Sequence, residues 1–257
     1  MVPGDLTALR NLYTGFMAAR VVITANNLGV FDCLRARLSA ADVAAELHTD
    51  VRATEILLDA LAGVGLVFKD RSSRYRNAPV SSRYLVKGAR LYQGDIVGHA
   101  SSMWQNFSCL DSVVRTGRPA GQGFDHESFI KGMHNLSVLR TEGLIKGIGL
   151  RGVKTMLDLG GGPGTNAMAM TKRGVKAFIF DLPETIAVAR KIARRMGVKG
   201  IRYIAGDFHV DAIGSGYDLI LISQIFHAFS IEENKALLAK CRNALNARGR
   251  VVVQEFP

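Results

Sequence analysis

Apolar positions recur at helical spacing through the first part of the chain and change to short continuous runs after about residue 152. From Leu6 to Asn27, Leu9, Leu12, Phe16, Ala19 and Ile23 share one stripe, which predicts a helix closed by Gly29 in a left-handed cap. Ser39 is placed to cap a short helix, Ala40 to Leu47. A turn at His48-Thr49-Asp50 leads to a longer helix, Val51 to Ala62, stopped by Gly63 and Gly65. A short strand, Leu66 to Lys69, and a polar turn then return the chain through Tyr75. Tyr84 to Arg115 reads as helical, Thr116 to Pro119 with the glycines at 121 and 123 as a loop, and Glu127 to Ile148 as another helix. Gly149 to Gly152 is a natural boundary.

The later apolar runs predict strands at Thr155 to Leu159, Ala177 to Phe180, Ile201 to Ala205, Leu219 to Ser223 and Val251 to Glu255. Helices over Asn166 to Arg173, Glu184 to Met196 and Ile231 to Leu245 separate them. Near-continuous apolar strands alternating with helices imply a parallel sheet covered on both faces. The fold class is therefore α/β, with a Rossmann-like parallel sheet preceded by a mostly helical domain.

That first domain has the outline of a winged helix: helix, turn, helix, small hairpin. DNA recognition would need basic or amide side chains on its second helix. Only Arg52 qualifies there, against Glu55 and Asp59, so the face would repel phosphate. The net charge of +11 raises the same question for the whole chain. Its densest cluster (Arg190, Lys191, Arg194, Arg195, Lys199, Arg202) interleaves with Ile186, Val188 and Ile192 and reads as a solvated helix face. Trp104 is the single tryptophan, and no aromatic side chains interleave with the cluster to stack bases, so no nucleic-acid partner is expected. Three dispersed cysteines and no apolar run of about 18 residues point to a reducing compartment, the cytoplasm, without a disulfide scaffold, signal peptide or membrane span. No acidic cluster has metal-ligand spacing.

The most informative stretch runs from Met156 to Asn166: an apolar strand ending in Asp158-Leu159, a glycine-dense turn, then a helix. Glycines allow a tight turn and close approach of a ligand, and the helix start offers free N–H groups. A phosphate-binding loop would need a lysine, and none lies between Lys154 and Lys172. The dinucleotide fingerprint would place its third glycine at Thr165. The pattern D-x-G-x-G-x-G fits Asp158, Gly160, Gly162 and Gly164 and is that of S-adenosylmethionine sites. The second strand leads into Asp181, at a distance suited to ribose hydroxyls. The third leads into Asp207-Phe208, a carboxylate for the adenine amino group beside a ring for its face.

The chain resembles the plant-type, or family 2, small-molecule O-methyltransferases. The matching elements are Leu157 to Gly164, Phe180-Asp181-Leu182-Pro183-Glu184, Gly206-Asp207-Phe208, Phe226-His227-Ala228-Phe229-Ser230, and Cys241 to Leu245. The resemblance implies a homodimer built on the winged-helix domain and S-adenosylmethionine as methyl donor to a small hydroxyl acceptor, aromatic or polyene-like. It implies cofactor contacts from Asp181, Asp207, Phe208, Ser223 and Ser137, and a substrate pocket touched by Trp104, Phe107, Phe129 and Met133. His227 matches the catalytic base, and the chemistry agrees: a neutral hydroxyl is a poor nucleophile, and imidazole has the pKa to take its proton. His209 is a weaker alternative.

Two departures stand out. The residue after the base is Ala228, where relatives often have an acid. The sequence also stops at Pro257, so the acidic partners of the histidine are expected to be missing and Val251 to Phe256 to form a bare apolar edge. The domain reading is 1–115 for dimerisation, 116–150 as linker and pocket helix, and 151–257 for the cofactor. The rival readings are a non-catalytic cofactor-binding dimer and, more distantly, a DNA-binding winged helix fused to a ligand sensor.

Overall fold

A computed structural model describes residues 5–119 and 125–255 and divides the chain into two units, Met1–Asp125 and His126–Pro257. The loop glycines at 121 and 123, and residue 256 of the last apolar run, lie outside the described residues.

The first unit begins with α1 (Leu6–Leu28), α2 (Val30–Cys33), β1 (Leu38–Ser39), α3 (Ala40–Leu47) and α4 (Val51–Gly63). It continues with β2 (Val67–Lys69), β3 (Arg74–Asn77), α5 (Pro79–Tyr84), α6 (Gly94–Ser108) and α7 (Leu110–Thr116). Local signals set the ends. Asp5 caps α1 by accepting from Ala8 N, and Gly29 closes it at φ 85°. Ser39 and Asp42 form a reciprocal capping box on α3. The antiparallel sheet β1-β3-β2 completes the winged-helix outline. Its core is Phe31, Leu34, Val43, Leu58, Leu61, Val67 and Tyr75, all at most 1% exposed. Full burial of an aliphatic or phenylalanine side chain contributes roughly 1.5–3 kcal/mol. The acids on α4 brace the hairpin: Asp59 accepts from Lys69 Nζ and from the Tyr75 hydroxyl, both at 2.7 Å.

The expected continuous helix from Tyr84 to Arg115 is instead broken. α5 stops at Tyr84, Gly88 takes φ +87°, and Gln93 N donates back to Tyr84 O before α6 starts at Gly94. Periodicity alone did not register this left-handed glycine. Gly63, read as a helix stop, is still helical, and the left-handed residue is Gly65.

The second unit holds α8 (His126–Ile148), β4 (Thr155–Leu159), α9 (Thr165–Thr171), β5 (Lys176–Asp181), α10 (Pro183–Arg195) and β6 (Arg202–Ala205). After these come β7 (Tyr217–Ser223), a single 3-10 turn (Phe226–Ala228), α11 (Ile231–Ala244) and β8 (Leu245–Gln254). α8 packs on α9 and α10, so the helix assigned by sequence to a linker segment groups with the sheet. The sheet is parallel throughout, in the order β6-β5-β4-β7-β8. Met156, Ile179, Leu219 and Leu221 face a cluster with Ala167, Met170 and Ile186. Leu157, Leu159, Ile220 and Ile222 face Leu237 and Cys241 on the other side. Burial on both faces is why the strands read as unbroken apolar runs. The strand order reverses at β4, which opens a crevice at its carboxyl end. Among the described residues β6 and β8 are the two edge strands, and β8 is longer than expected and irregular where Tyr217 meets Leu245. Among the described residues no helix is long and apolar enough to cross a membrane.

Candidate active site

At the crevice, Gly160, Gly162 and Gly164 take φ +63°, +53° and +72°. A side chain at Gly160 would also run into Ile225, and one at Gly164 into Ile179. The loop is thus tight for a conformational and a steric reason together. The Ile225 side chain keys the segment leading to His227 onto the glycine loop.

Asp181 closes the loop from the neighbouring strand. Its Oδ2 accepts from Gly162 N at 2.7 Å and its Oδ1 from Leu182 N at 2.8 Å. Thr185 next to it helps to hold its pKa down, and His126 Nε2 lies 3.1 Å from Thr185 Oγ1. One backbone N–H on each oxygen uses two of the roughly four acceptor positions of a carboxylate, so its direction is set before any ligand arrives. Burial raises its pKa, against the lowering effect of these donors.

Asp158, grouped by sequence with the binding residues, lies beneath the loop. It is 1% exposed, and its Oδ2 accepts from Ala167 N at 3.2 Å, holding the first turn of α9. Period-2 alternation puts it on the Met156 face of β4, under the helix. Burial pushes its pKa up to about 7, with the Ala167 N–H opposing and the nearby Asp181 charge adding.

The β6 end carries Asp207 and Phe208 in a tight turn. Asp207 Oδ1 accepts from His209 N, and Asp207 N donates to Asp211 Oδ2, both at 2.8 Å. The Phe208 ring stacks in a cluster with His209 and Phe229, at centroid distances of 4.7 and 5.8 Å. One edge of it approaches Gly160.

Met133 and Ser137 on α8, Ser223 at the end of β7, Asn166 and Gln254 line a cavity of about 50 Å³. Within it the Ser223 hydroxyl donates to Gln254 Oε1 at 2.9 Å. Phe129 packs beside Ile130 and Met168. Trp104 and Phe107 belong to the first unit, on α6. The Trp104 ring lies 6.2 Å from Phe16 on α1, with Arg20 above it, and Phe107 is exposed.

His227 sits in the 3-10 turn after β7. Its Nδ1 is 2.9 Å from Glu255 Oε2, and Glu255 Oε1 accepts from Ile225 N and Phe226 N at 2.8 and 2.7 Å. Asn234 on α11 holds the same turn through the Phe226 and Phe229 carbonyls. A carboxylate only accepts, so His227 Nδ1 carries the hydrogen and Nε2 is the basic nitrogen. Burial of Glu255 raises its pKa, but the donors from His227, Phe226 and Ile225 outweigh it and the net shift is downward. The expectation that the acid would be missing is corrected here: Glu255 supplies what Ala228 does not. Sequence reasoning also missed Thr185 and His126 around Asp181.

Residues 121–256 match the O-methyltransferase domain and residues 11–87 the O-methyltransferase dimerisation domain. The chain belongs to the O-methyltransferase family. It is 31% identical to 3-hydroxy-5-methyl-1-naphthoate 3-O-methyltransferase of Streptomyces sahachiroi, over 97% of this chain and 77% of that one. It is 27% identical to acetylserotonin O-methyltransferase of Bos taurus, over 96% and 79% of the two chains. The structure of human N-acetylserotonin methyltransferase in complex with S-adenosylmethionine superposes with a TM-score of 0.84 at 25% identity, covering 98% of this chain and 81% of that one. This protein is accordingly an S-adenosylmethionine-dependent O-methyltransferase.

The residues present fit that cofactor. The glycine loop carries no lysine or arginine between Lys154 and Lys172, while Asp181 and Asp207 flank it. Such a cradle suits the hydroxyls and amino group of a nucleoside bearing a sulfonium cation. Phe208 and Ile225 line it with flat and apolar surface against Gly160.

Proposed function

We propose that the chain methylates a hydroxyl on a small aromatic or polyene-like acceptor, with His227 as general base. The observation that carries this reading is the His227–Glu255 pair, keyed through Ile225 to the glycine loop. Bound S-adenosylmethionine supplies an electrophilic methyl group on a sulfonium, and on giving it up would leave as the neutral thioether S-adenosylhomocysteine. His227 Nε2 would take the acceptor hydroxyl's proton, and Glu255 would steady the imidazolium that results. Asp181 would hold the ribose, Asp207 and Phe208 the adenine, and Gly160, Gly162 and Gly164 the close backbone approach. Asp158 would hold the loop's shape. Ser137 and Ser223 would border the methionine end, and Phe129 and Met133 the acceptor.

The relatives support an aromatic acceptor, since their names specify a hydroxynaphthoate and acetylserotonin. We assign residues 1–115 to homodimerisation, 116–150 to the pocket helix and its lead-in, and 151–257 to the cofactor. The test is methyl transfer to a panel of hydroxynaphthoates, hydroxyindoles and polyene alcohols, run beside His227→Ala. Failure to methylate any hydroxyl, or full activity in the variant, would overturn the corresponding part of the reading.

A further inference from the structure

Lys240, on α11, reaches the turn that carries Asp207 and Phe208. Its Nζ donates to the carbonyl oxygens of Phe208 at 2.6 Å, His209 at 3.3 Å and Asp211 at 3.0 Å. An ammonium has three donor hydrogens and no acceptor, so three converging carbonyls match its capacity. Charge-assisted bonds of this kind are stronger than neutral ones.

Other bonds shape the turn from within. Asp211 Oδ2 accepts from Asp207 N, Asp207 Oδ1 from His209 N, and the Asp207 carbonyl from Val210 N and Asp211 N. Gly206 N donates to Asp181 O and ties the start of the turn to β5. Lys240 ties its far side to α11. Phe208 therefore presents its carbonyl to Lys240 and an edge of its ring to Gly160. That carbonyl belongs to the Phe208–His209 peptide, whose N–H holds Asp207 Oδ1, so turning the peptide would release the Asp207 carboxylate and shift the backbone that carries the ring.

We propose that Lys240 is a positioning residue for cofactor recognition: it sets the Phe208 peptide and so aims the Asp207 carboxylate and the Phe208 ring at the adenine. This rests on the reading that Asp207 and Phe208 receive the adenine. A lysine serves here where an apolar residue would pack, because turn carbonyls facing a helix side need donors. The consequence is specificity as well as affinity. Asp207 held on the 6-position accepts from the amino group of adenine and is repelled by the 6-oxo oxygen of hypoxanthine. A loosened carboxylate can shift to the N1–H that hypoxanthine offers, so a well-aimed turn distinguishes the two bases.

The experiment measures binding of S-adenosylhomocysteine and S-inosylhomocysteine by calorimetry, which needs no knowledge of the acceptor. Lys240→Met keeps the aliphatic stem and removes the donors. It is expected to weaken S-adenosylhomocysteine about tenfold, the scale on which orienting hydrogen bonds act on the groups they hold. It is also expected to shrink the preference for adenine over hypoxanthine. Lys240→Arg, which keeps charge and donors, should recover part of both. If Lys240→Met does not fold, Lys240→Gln is read by the same criteria.

Unchanged binding in the lysine variant, with Asp207→Asn impaired, overturns the proposal alone. Weaker binding with an intact adenine preference also overturns it, because a role limited to general stability predicts that pattern. Unchanged binding in Asp207→Asn and Phe208→Ala overturns the adenine assignment on which it rests.

Discussion

Glu255 Oε2 lies 2.9 Å from His227 Nδ1 while Glu255 Oε1 accepts the N–H groups of Ile225 and Phe226. One carboxylate thus fixes both the backbone of the turn and the tautomer of its histidine. The pairing depends on the parallel register of β7 and β8, in which Ser223 stands opposite Gln254. A side chain 28 positions away in sequence is brought to the proposed base by sheet geometry alone.

His227→Ala should therefore lower methyl transfer by about 10² to 10⁴ and leave affinity for S-adenosylhomocysteine nearly unchanged. Glu255→Gln should lower it by about tenfold or more, because an amide cannot accept from His227 and also from both backbone N–H groups. Initial rates with an acceptor that the wild type methylates, and calorimetry on the same preparations, check both. An unaffected rate in His227→Ala would remove it as the base.

Much of this architecture is legible in the sequence because burial on two faces writes itself as apolar runs. The strand from Thr155 to Leu159, the cap at Ser39 and the left-handed Gly29 all occur where local pattern puts them. The interruption between α5 and α6 is not legible, since Leu85, Val86 and Leu91 keep an apolar rhythm across Gly88. Glu255 and Lys240 escape for another reason. Each acts across elements, through a register or a helix approach that no window of sequence contains. Asp158 shows the converse: its motif is plain, but its burial under α9 follows only from which way β4 faces.

Asp181→Ala should weaken S-adenosylhomocysteine binding by about 1.5–3 kcal/mol, the range for a hydrogen bond to a charged group. It also unties Gly162 N–H from β5, so Asp181→Asn, which keeps one acceptor, should lose less. Calorimetry with the nucleoside and with NAD as a control checks the order. A preference for NAD would contradict the assignment of Asp181 to the ribose of S-adenosylmethionine.

α1 exposes Leu9, Leu12, Tyr13, Phe16 and Met17 on the first unit, a larger apolar surface than isolated exposed residues require. Most of it lies within the segment matching the family's dimerisation domain, residues 11–87. Light scattering at micromolar concentration should give twice the chain mass, and Leu9→Glu combined with Leu12→Glu should give the monomer. A doubled mass in that variant would move the interface away from α1.

The pH dependence of stability should carry the mark of Asp158. Its pKa is raised to about 7 by burial, while the unfolded chain titrates near the ordinary aspartate value of 3.8. Between those values the folded state holds the proton more tightly than the unfolded state. Its stabilising contribution is complete below the unfolded pKa and declines as pH rises toward 7, after which nothing more is lost. A shift of this size corresponds to a few kcal/mol at about 1.4 kcal/mol per unit. Glu127 and Asp218, both held down near 2, give the opposite slope at lower pH, so wild type alone would mix the two trends. The difference between wild type and Asp158→Asn isolates the buried carboxyl. The amide introduced there cannot ionise. Whatever constant cost it carries, the variant should gain on wild type steadily from about pH 4 to 7 and hold level above. Urea unfolding of the ligand-free protein across that range measures the difference. A pH-independent gap between the two proteins would mean that Asp158 titrates like an exposed aspartate.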